Sequence, residues 1–170
     1  VTSLTNDIIW SPASYITQKG FINNIEGMIK NTNYEAKNTT DHKTGGAVSE
    51  LSGVLSFKSA LPMKKDGVGY SNIFSPTFMV RYAPGHMKDL SGDDVTLKYA
   101  NLFSTNKTSV IEDGLSTILG FDFKMSEKSE DDSDKEKLSI SMGQVFNFEE
   151  NKDIPSKSSL DQKMSDVVGE

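Results

Sequence analysis

Large apolar side chains recur at every second position along several stretches of this chain. In Ser139-Ile140-Ser141-Met142-Gly143-Gln144-Val145-Phe146-Asn147-Phe148 they alternate with small or polar residues. A period of two marks an extended strand with two unlike faces. The same reading predicts strands over Asn6–Tyr15, Phe21–Ala36, Val48–Met63, Asn72–Tyr82, Leu115–Met125 and Leu138–Phe148. No convincing helix joins them. Thr17–Gly20 reads as a turn, and Asp66-Gly67 is a hairpin signal. Lys37–Ala47, with Gly45-Gly46, reads as a polar loop, Ala83–Asp113 as a long irregular one, and Asp153–Lys163 as a third. Val95–Ala100 is a candidate short strand inside the second of these.

The strands sort into two rows. Leu51, Leu55, Phe57, Phe74, Phe78, Val80, Leu119, Phe121, Phe123, Met125, Ile140, Met142 and Phe146 form an apolar row. Ser52, Ser56, Lys58, Ser75, Thr77, Arg81, Asp122, Lys124, Ser139, Ser141 and Asn147 form a wetter one. A wall with hydrocarbon on one side and a hydrated lumen on the other needs this division. The predicted spans exceed the roughly 5–6 residues usual in soluble strands and reach the 9–11 or so that a tilted strand needs to cross a bilayer. Trp10, Tyr34, Tyr82 and Phe148 sit near strand ends, where an interfacial girdle places aromatics. Gln144 falls among the apolar row, so a bulge near Gly143 or a neighbouring strand must satisfy its amide. An antiparallel sandwich fits the same alternation. It requires Leu55, Phe57, Phe121 and Phe123 to be buried by protein.

Composition narrows the choice. Only 35% of the 170 residues are apolar, and no dense apolar segment is evident; a wall needs apolar residues only at alternate positions. No run approaches the roughly 20 residues of a membrane-spanning helix. The absence of cysteine leaves stability to backbone hydrogen bonds and sheet closure. A net charge of −6 argues against a nucleic-acid surface. The chain starts at Val1 without a targeting segment, and its end at Ser165–Glu170 resembles the opening of a further strand, so it reads as a piece of something longer.

Catalytic chemistry has no visible foothold. His42 and His86 lie in predicted loops, and Asp131, Asp132 and Asp134 lack the glycine and terminal glutamate of a calcium loop. Asp93-Asp94 and Glu149-Glu150 read as solvated loop carboxylates, with cation bridging to lipid phosphates as the alternative. Asn38-Thr39-Thr40 and Asn106-Lys107-Thr108 match a glycosylation pattern, which would mean little if the wall belongs to a bacterial outer membrane. No serine has a base at motif spacing. No enzyme activity, metal or cofactor is expected.

Four segments, in order, resemble a known family. They are Ser75-Pro76-Thr77-Phe78-Met79-Val80-Arg81-Tyr82-Ala83-Pro84, Ile111-Glu112-Asp113-Gly114-Leu115-Ser116-Thr117-Ile118-Leu119-Gly120-Phe121, Ser141-Met142-Gly143-Gln144-Val145-Phe146-Asn147-Phe148 and Ser165-Asp166-Val167-Val168-Gly169. Together they resemble the lipopolysaccharide-assembly barrels of the LptD (organic solvent tolerance) family, clearly over about Ile73–Gly169 and by strand pattern before it. The resemblance implies an all-β antiparallel meander of long strands, residues 1–170 forming about seven strands of a large transmembrane β-barrel. It implies the outer membrane of a Gram-negative cell, a role in inserting lipopolysaccharide into the outer leaflet, and contact with outer-membrane lipids. It further implies an LptE-like plug lipoprotein and a periplasmic Lpt bridge as partners, and no nucleic acid. Alternation of connections then puts Thr17–Gly20, Lys64–Ser71 and the acidic Ser126–Lys137 on the periplasmic side, with the three longer loops outside. A porin, a small eight-stranded barrel and a soluble secreted sandwich acting as a binding module are the alternatives.

Overall fold

The computed structural model describes residues 2–35, 47–128 and 134–170. His42, Asn38, the Gly45-Gly46 pair, Asp131 and Asp132 lie outside them. The described residues form one antiparallel sheet. Its long strands are β1 (Thr2–Trp10), β3 (Ile22–Glu35), β4 (Ala47–Ala60), β6 (Tyr70–Ala83), β7 (Gly114–Glu127) and β8 (Lys135–Asn147). Three short strands complete it: β2 (Tyr15–Ile16), β5 (Met63–Asp66) and β9 (Val168–Gly169). The order is β1-β3-β4-β6-β7-β8-β9, so every neighbour in space is a neighbour in sequence apart from the short inserts. The sheet is open, and no second sheet packs on it among the described residues.

Two predicted strands are broken where proline interrupts the ladder. The span predicted as Asn6–Tyr15 is instead β1, ending at Trp10, and β2, with Ser11-Pro12 between them; both pair with β3. The span predicted as Val48–Met63 ends at Ala60, and Met63–Asp66 pairs separately with the start of β6. Pro12 and Pro62 have no N–H to give to a neighbour, so each ends a run of pairing. The Asp66-Gly67 signal is a true hairpin, closed by the Gly67 N–H donating to the Tyr70 carbonyl at 2.8 Å. Val95–Ala100 is not a strand. Tyr99–Leu102 forms a single helical turn, α1. Strand ends therefore alternate without a shift: 11–21 and 61–69 lie at one end, where β7 also finishes and β8 starts, and 84–113 and 148–167 lie at the other, where β3 finishes and β4 starts.

Register fixes the two faces. Phe57 lies opposite Val80, Val80 opposite Thr117, and Thr117 opposite Phe146. Phe74, Phe123 and Ile140 form a second such row, and Ser75, Asp122 and Ser141 a row on the other face. The first face is open: Leu51 is 74% exposed, Leu55 55% and Leu119 48%. Phe121 and Phe123 are only part-buried, with Phe74 and Phe121 in ring contact at 5.5 Å. The burial that a sandwich requires of Leu55 and Phe57 is absent.

The second face carries a core that the composition did not suggest. Residues 84–113 and 148–167 fold back over it. Met79, Ile118 and Val145 from the sheet meet Met87, Leu90, Leu97 and Leu102 from the first connection and Ile154 and Leu160 from the second. Ile118 and Leu102 are wholly buried. Each such side chain contributes about 1.5–3 kcal/mol on leaving water. The apolar residues needed for a core were present, but scattered through segments that read as loops.

Candidate functional site

The candidate site is this covered face together with the segment folded on it. β6 presents Arg81 near its end, between Met79 and Ala83 in the alternation. Its side chain is 3% exposed. Nε donates to the Thr105 carbonyl at 2.9 Å and Nη2 to the Glu112 carbonyl at 2.6 Å, while Nη1 stands 3.8 Å from Glu112 Oε2. The other carboxylate oxygen of Glu112 accepts from the Lys107 backbone N–H at 2.6 Å. The guanidinium fork thus ties two points of 84–113 to one strand, and the buried charges are paired. On β4, the Ser56 hydroxyl lies 2.8 Å from the Thr105 hydroxyl. Lys107 Nζ donates to the Ser104 carbonyl at 3.2 Å. Burial pushes the Lys107 amine down to about 8, against the pull of Glu112 and with a push from Arg81.

A second fastening lies further along the sheet. The Tyr99 hydroxyl of α1 donates to Asp122 Oδ1 at 2.7 Å, and the Ser141 hydroxyl donates to the same oxygen at 2.7 Å. Desolvation, with Asp122 next, raises the Tyr99 phenol far above its usual range. Beside it, Gly120 and Gly143 pair across β7 and β8. A Cβ at Gly120 would stand 2.9 Å from Phe103 Cζ; one at Gly143 would run into Leu102 Cδ2. The bare backbones form a slot that admits the α1 end. The glycine of the Gly-Gln strand thus serves close approach, not a bulge. Gln144 stays on the open face, and its amide donates to the Ser165 carbonyl at 2.5 Å. The only register shift of the β7–β8 pair lies at Met125/Ser126.

The wetter row of the sequence reading all falls on this one face, but in unlike surroundings. Ser56, Arg81 and Ser141 are buried under the folded-back chain. Asn147 donates to the carbonyls of Leu160 and Gln162, at 2.9 and 2.7 Å, and so holds the second connection. Ser52, Lys58, Ser75, Thr77 and Asp122 are part-buried; Lys124 and Ser139 are exposed towards the short-turn end. A cleft of about 550 Å³ opens where the two connections meet, bordered by Arg81, Lys107, Glu112, Asn147 and Asn151. A smaller one of about 300 Å³ separates Lys58 and Glu26 from Ser104. Sequence reasoning missed Ser116, Thr105, Glu112 and Tyr99 as members of the site. The three from the connections belong to no periodic segment; Ser116 is at a wet-row position of β7.

The apolar row falls on the opposite face without exception. Trp10, Tyr82 and Phe148 share that face near strand ends, at 56%, 54% and 63% exposure. Tyr34 does not: it pairs with Val48 on the covered side, where its hydroxyl meets Glu50 at 3.2 Å. Among the described residues no group of three or more His, Asp or Glu is placed to hold a metal. No helix among them is long and apolar enough to cross a membrane, which says nothing of crossing by strands.

No curated protein matches this chain. The family model LptD, LPS transport system D, matches residues 12–170. With a strand-rich antiparallel meander beneath that match, the chain belongs to the LptD family, outer-membrane proteins of lipopolysaccharide transport.

Proposed function

We propose that this chain is part of the barrel wall through which lipopolysaccharide reaches the outer leaflet, with its open face against lipid and its covered face towards the lumen. The observation that carries this reading is the register. It gathers Leu51, Leu55, Phe57, Phe78, Leu119 and Met142 on a face that no described part of the chain covers. A surface that apolar and that continuous is stable against hydrocarbon and unstable against water. The other face offers Ser, Thr, Lys and Asp to sugars and phosphates. The work is transport without bond-making, so no activated nucleophile is needed. Lipopolysaccharide, the surrounding outer-membrane lipids, an LptE-like plug lipoprotein and the periplasmic Lpt bridge are the partners of this reading. The end of the sheet that carries 61–69 then faces the periplasm.

Site-specific photo-crosslinking in the full outer-membrane protein tests it. A photoreactive residue at Lys58 or Lys124 should capture lipopolysaccharide only while delivery is running. The same residue at Leu51 or Leu119 should capture membrane lipid whether or not delivery is running. Lipid captured at Lys58 and Lys124 with delivery halted, or no lipopolysaccharide captured there in a transporting protein, would overturn the assignment of faces.

A further inference from the structure

Residues 84–113 leave β6 at Ala83 and re-enter the sheet at Gly114. Both ends carry a glycine with a backbone that other residues rarely adopt: Gly85 at φ +117° and Gly114 at φ +95°. No atom lies within 4 Å of where a Cβ would stand at either, so conformation and not crowding sets the requirement. Positions of this kind at element ends are where hinges absorb rotation. Between them the segment touches the sheet at several places: Leu102 and Phe103 in the Gly120–Gly143 slot, Tyr99 on Asp122, the Arg81 cluster, Ile111 against Val54 and Ala83, and the Ser109 carbonyl, which accepts from Lys30 Nζ at 2.8 Å. Met87, Leu90 and Leu97 join one cluster with Met79, Ile118 and Val145 of the sheet and Ile154 and Leu160 of the second connection, to which Leu90 is also tied by its N–H to the Asp153 carbonyl at 2.7 Å.

While the segment is seated, Met79, Ile118 and Val145 have 2% exposure or less, and Ser56 and Ser141 have 5%. The small polar residues at this level of the face are then out of reach of a passing sugar. We infer that residues 84–113 form a lid hinged at Gly85 and Gly114, seated by Leu102 and Phe103 in the glycine slot and caught by Arg81 on Thr105 and Glu112, and that lipopolysaccharide passes this level only when the lid has left the face. This rests on the covered face being luminal. The catch suits a reversible contact, since it is built from paired charges and hydrogen bonds to backbone carbonyls.

A cysteine lock tests the lid in the full protein. The chain has no cysteine of its own, and the Ser56 and Thr105 hydroxyls are 2.8 Å apart. S56C/T105C should crosslink on oxidation. Delivery of newly made lipopolysaccharide to the cell surface should then fall at least tenfold and return on reduction of the same molecules, which excludes misfolding as the cause. T32C/E50C, which ties β3 to β4 at an opposed pair away from the lid, should deliver equally in both redox states. A fully crosslinked S56C/T105C protein that delivers at its reduced rate would overturn the lid, as would failure of that pair to crosslink. If the reduced protein and wild type carry no lipopolysaccharide past this face, the luminal reading fails instead.

Discussion

Two ion pairs on the same face of the sheet sit in different surroundings. Lys30 on β3, 16% exposed and also donating to the Ser109 carbonyl at 2.8 Å, meets Asp7 on β1 at 3.6 Å, with Asp7 43% exposed. Arg81 on β6 meets Glu112 at 3.8 Å, with both side chains at 6% exposure or less. The strands under them follow the same alternation. What differs is cover: β1 is exposed along its whole length, whereas the ends of β6, β7 and β8 lie under 84–113 and 148–167. A two-faced strand therefore states which side chains point together, and leaves open whether water, lipid or protein meets them.

The widest separation between the halves should come from breaking each pair. Arg81→Ala leaves a carboxylate and two carbonyls buried without their donor, which costs about 3–5 kcal/mol. Asp7→Asn should cost about 0–1 kcal/mol, as exposed pairs do, and added salt should remove even that. Thermal unfolding in detergent, with protease cleavage of 84–113 as a local readout, measures both. Equal effects would mean that the cover over Arg81 contributes nothing. R81M/E112L should recover much of the loss, because it removes both charges at once.

Apolar seating comes next. Leu102→Ala removes a wholly buried side chain from the glycine slot and should cost about 2–5 kcal/mol. Ile9→Ala, on the covered side of β1 but 58% exposed, should stay within about 0.5 kcal/mol. Protease sensitivity should rise in 84–113 for the first and nowhere for the second. Tyr99→Phe is milder. It deletes one hydrogen bond to a carboxylate, worth about 1.5–3 kcal/mol at most, and Ser141 still serves Asp122. It should loosen α1 while leaving cleavage near Arg81 unchanged.

The covered half was also where the sequence was least legible. Leu138–Phe148 was readable to within three residues of β8 because its period needs no partner. The lid offers no such regular spacing: Met87, Leu90, Leu97, Leu102 and Ile111 follow neither a period of two nor one of 3.6, and Pro84-Gly85 and Ser91-Gly92 punctuate them. Such residues are assigned to a core only by what they fold against. Arg81 belonged to the wetter row by alternation and does face that side, yet its neighbours Thr105 and Glu112 lie 24 and 31 residues away. Gly143 was recognisable as part of a motif. Its use as a slot depends on Gly120 standing opposite, and register between strands is set by the whole sheet. Pro12 and Pro62 were the opposite case: a local rule, the missing N–H, was in plain view and would have split both strands correctly.

The finest test separates two titrations within the lid itself. Lys107 has a folded value of about 8 against 10.5 when free, because burial outweighs Glu112 and Arg81 adds repulsion. Between those values the seated lid binds fewer protons than the lifted one, so seating strengthens as pH rises from about 8 to 10.5. Tyr99 runs the other way. Its phenol, desolvated and beside Asp122, Ser141 and Glu170, keeps its proton when seated, so seating weakens once pH passes the free value of 10.0. Protease protection of 84–113 should therefore climb above about pH 8 and turn down above about pH 10. Lys107→Met should remove the climb and keep the fall; Tyr99→Phe should do the reverse. Cleavage within β1, exposed along its whole length, should show neither, and a matching rise in protection there would trace the effect to the whole barrel.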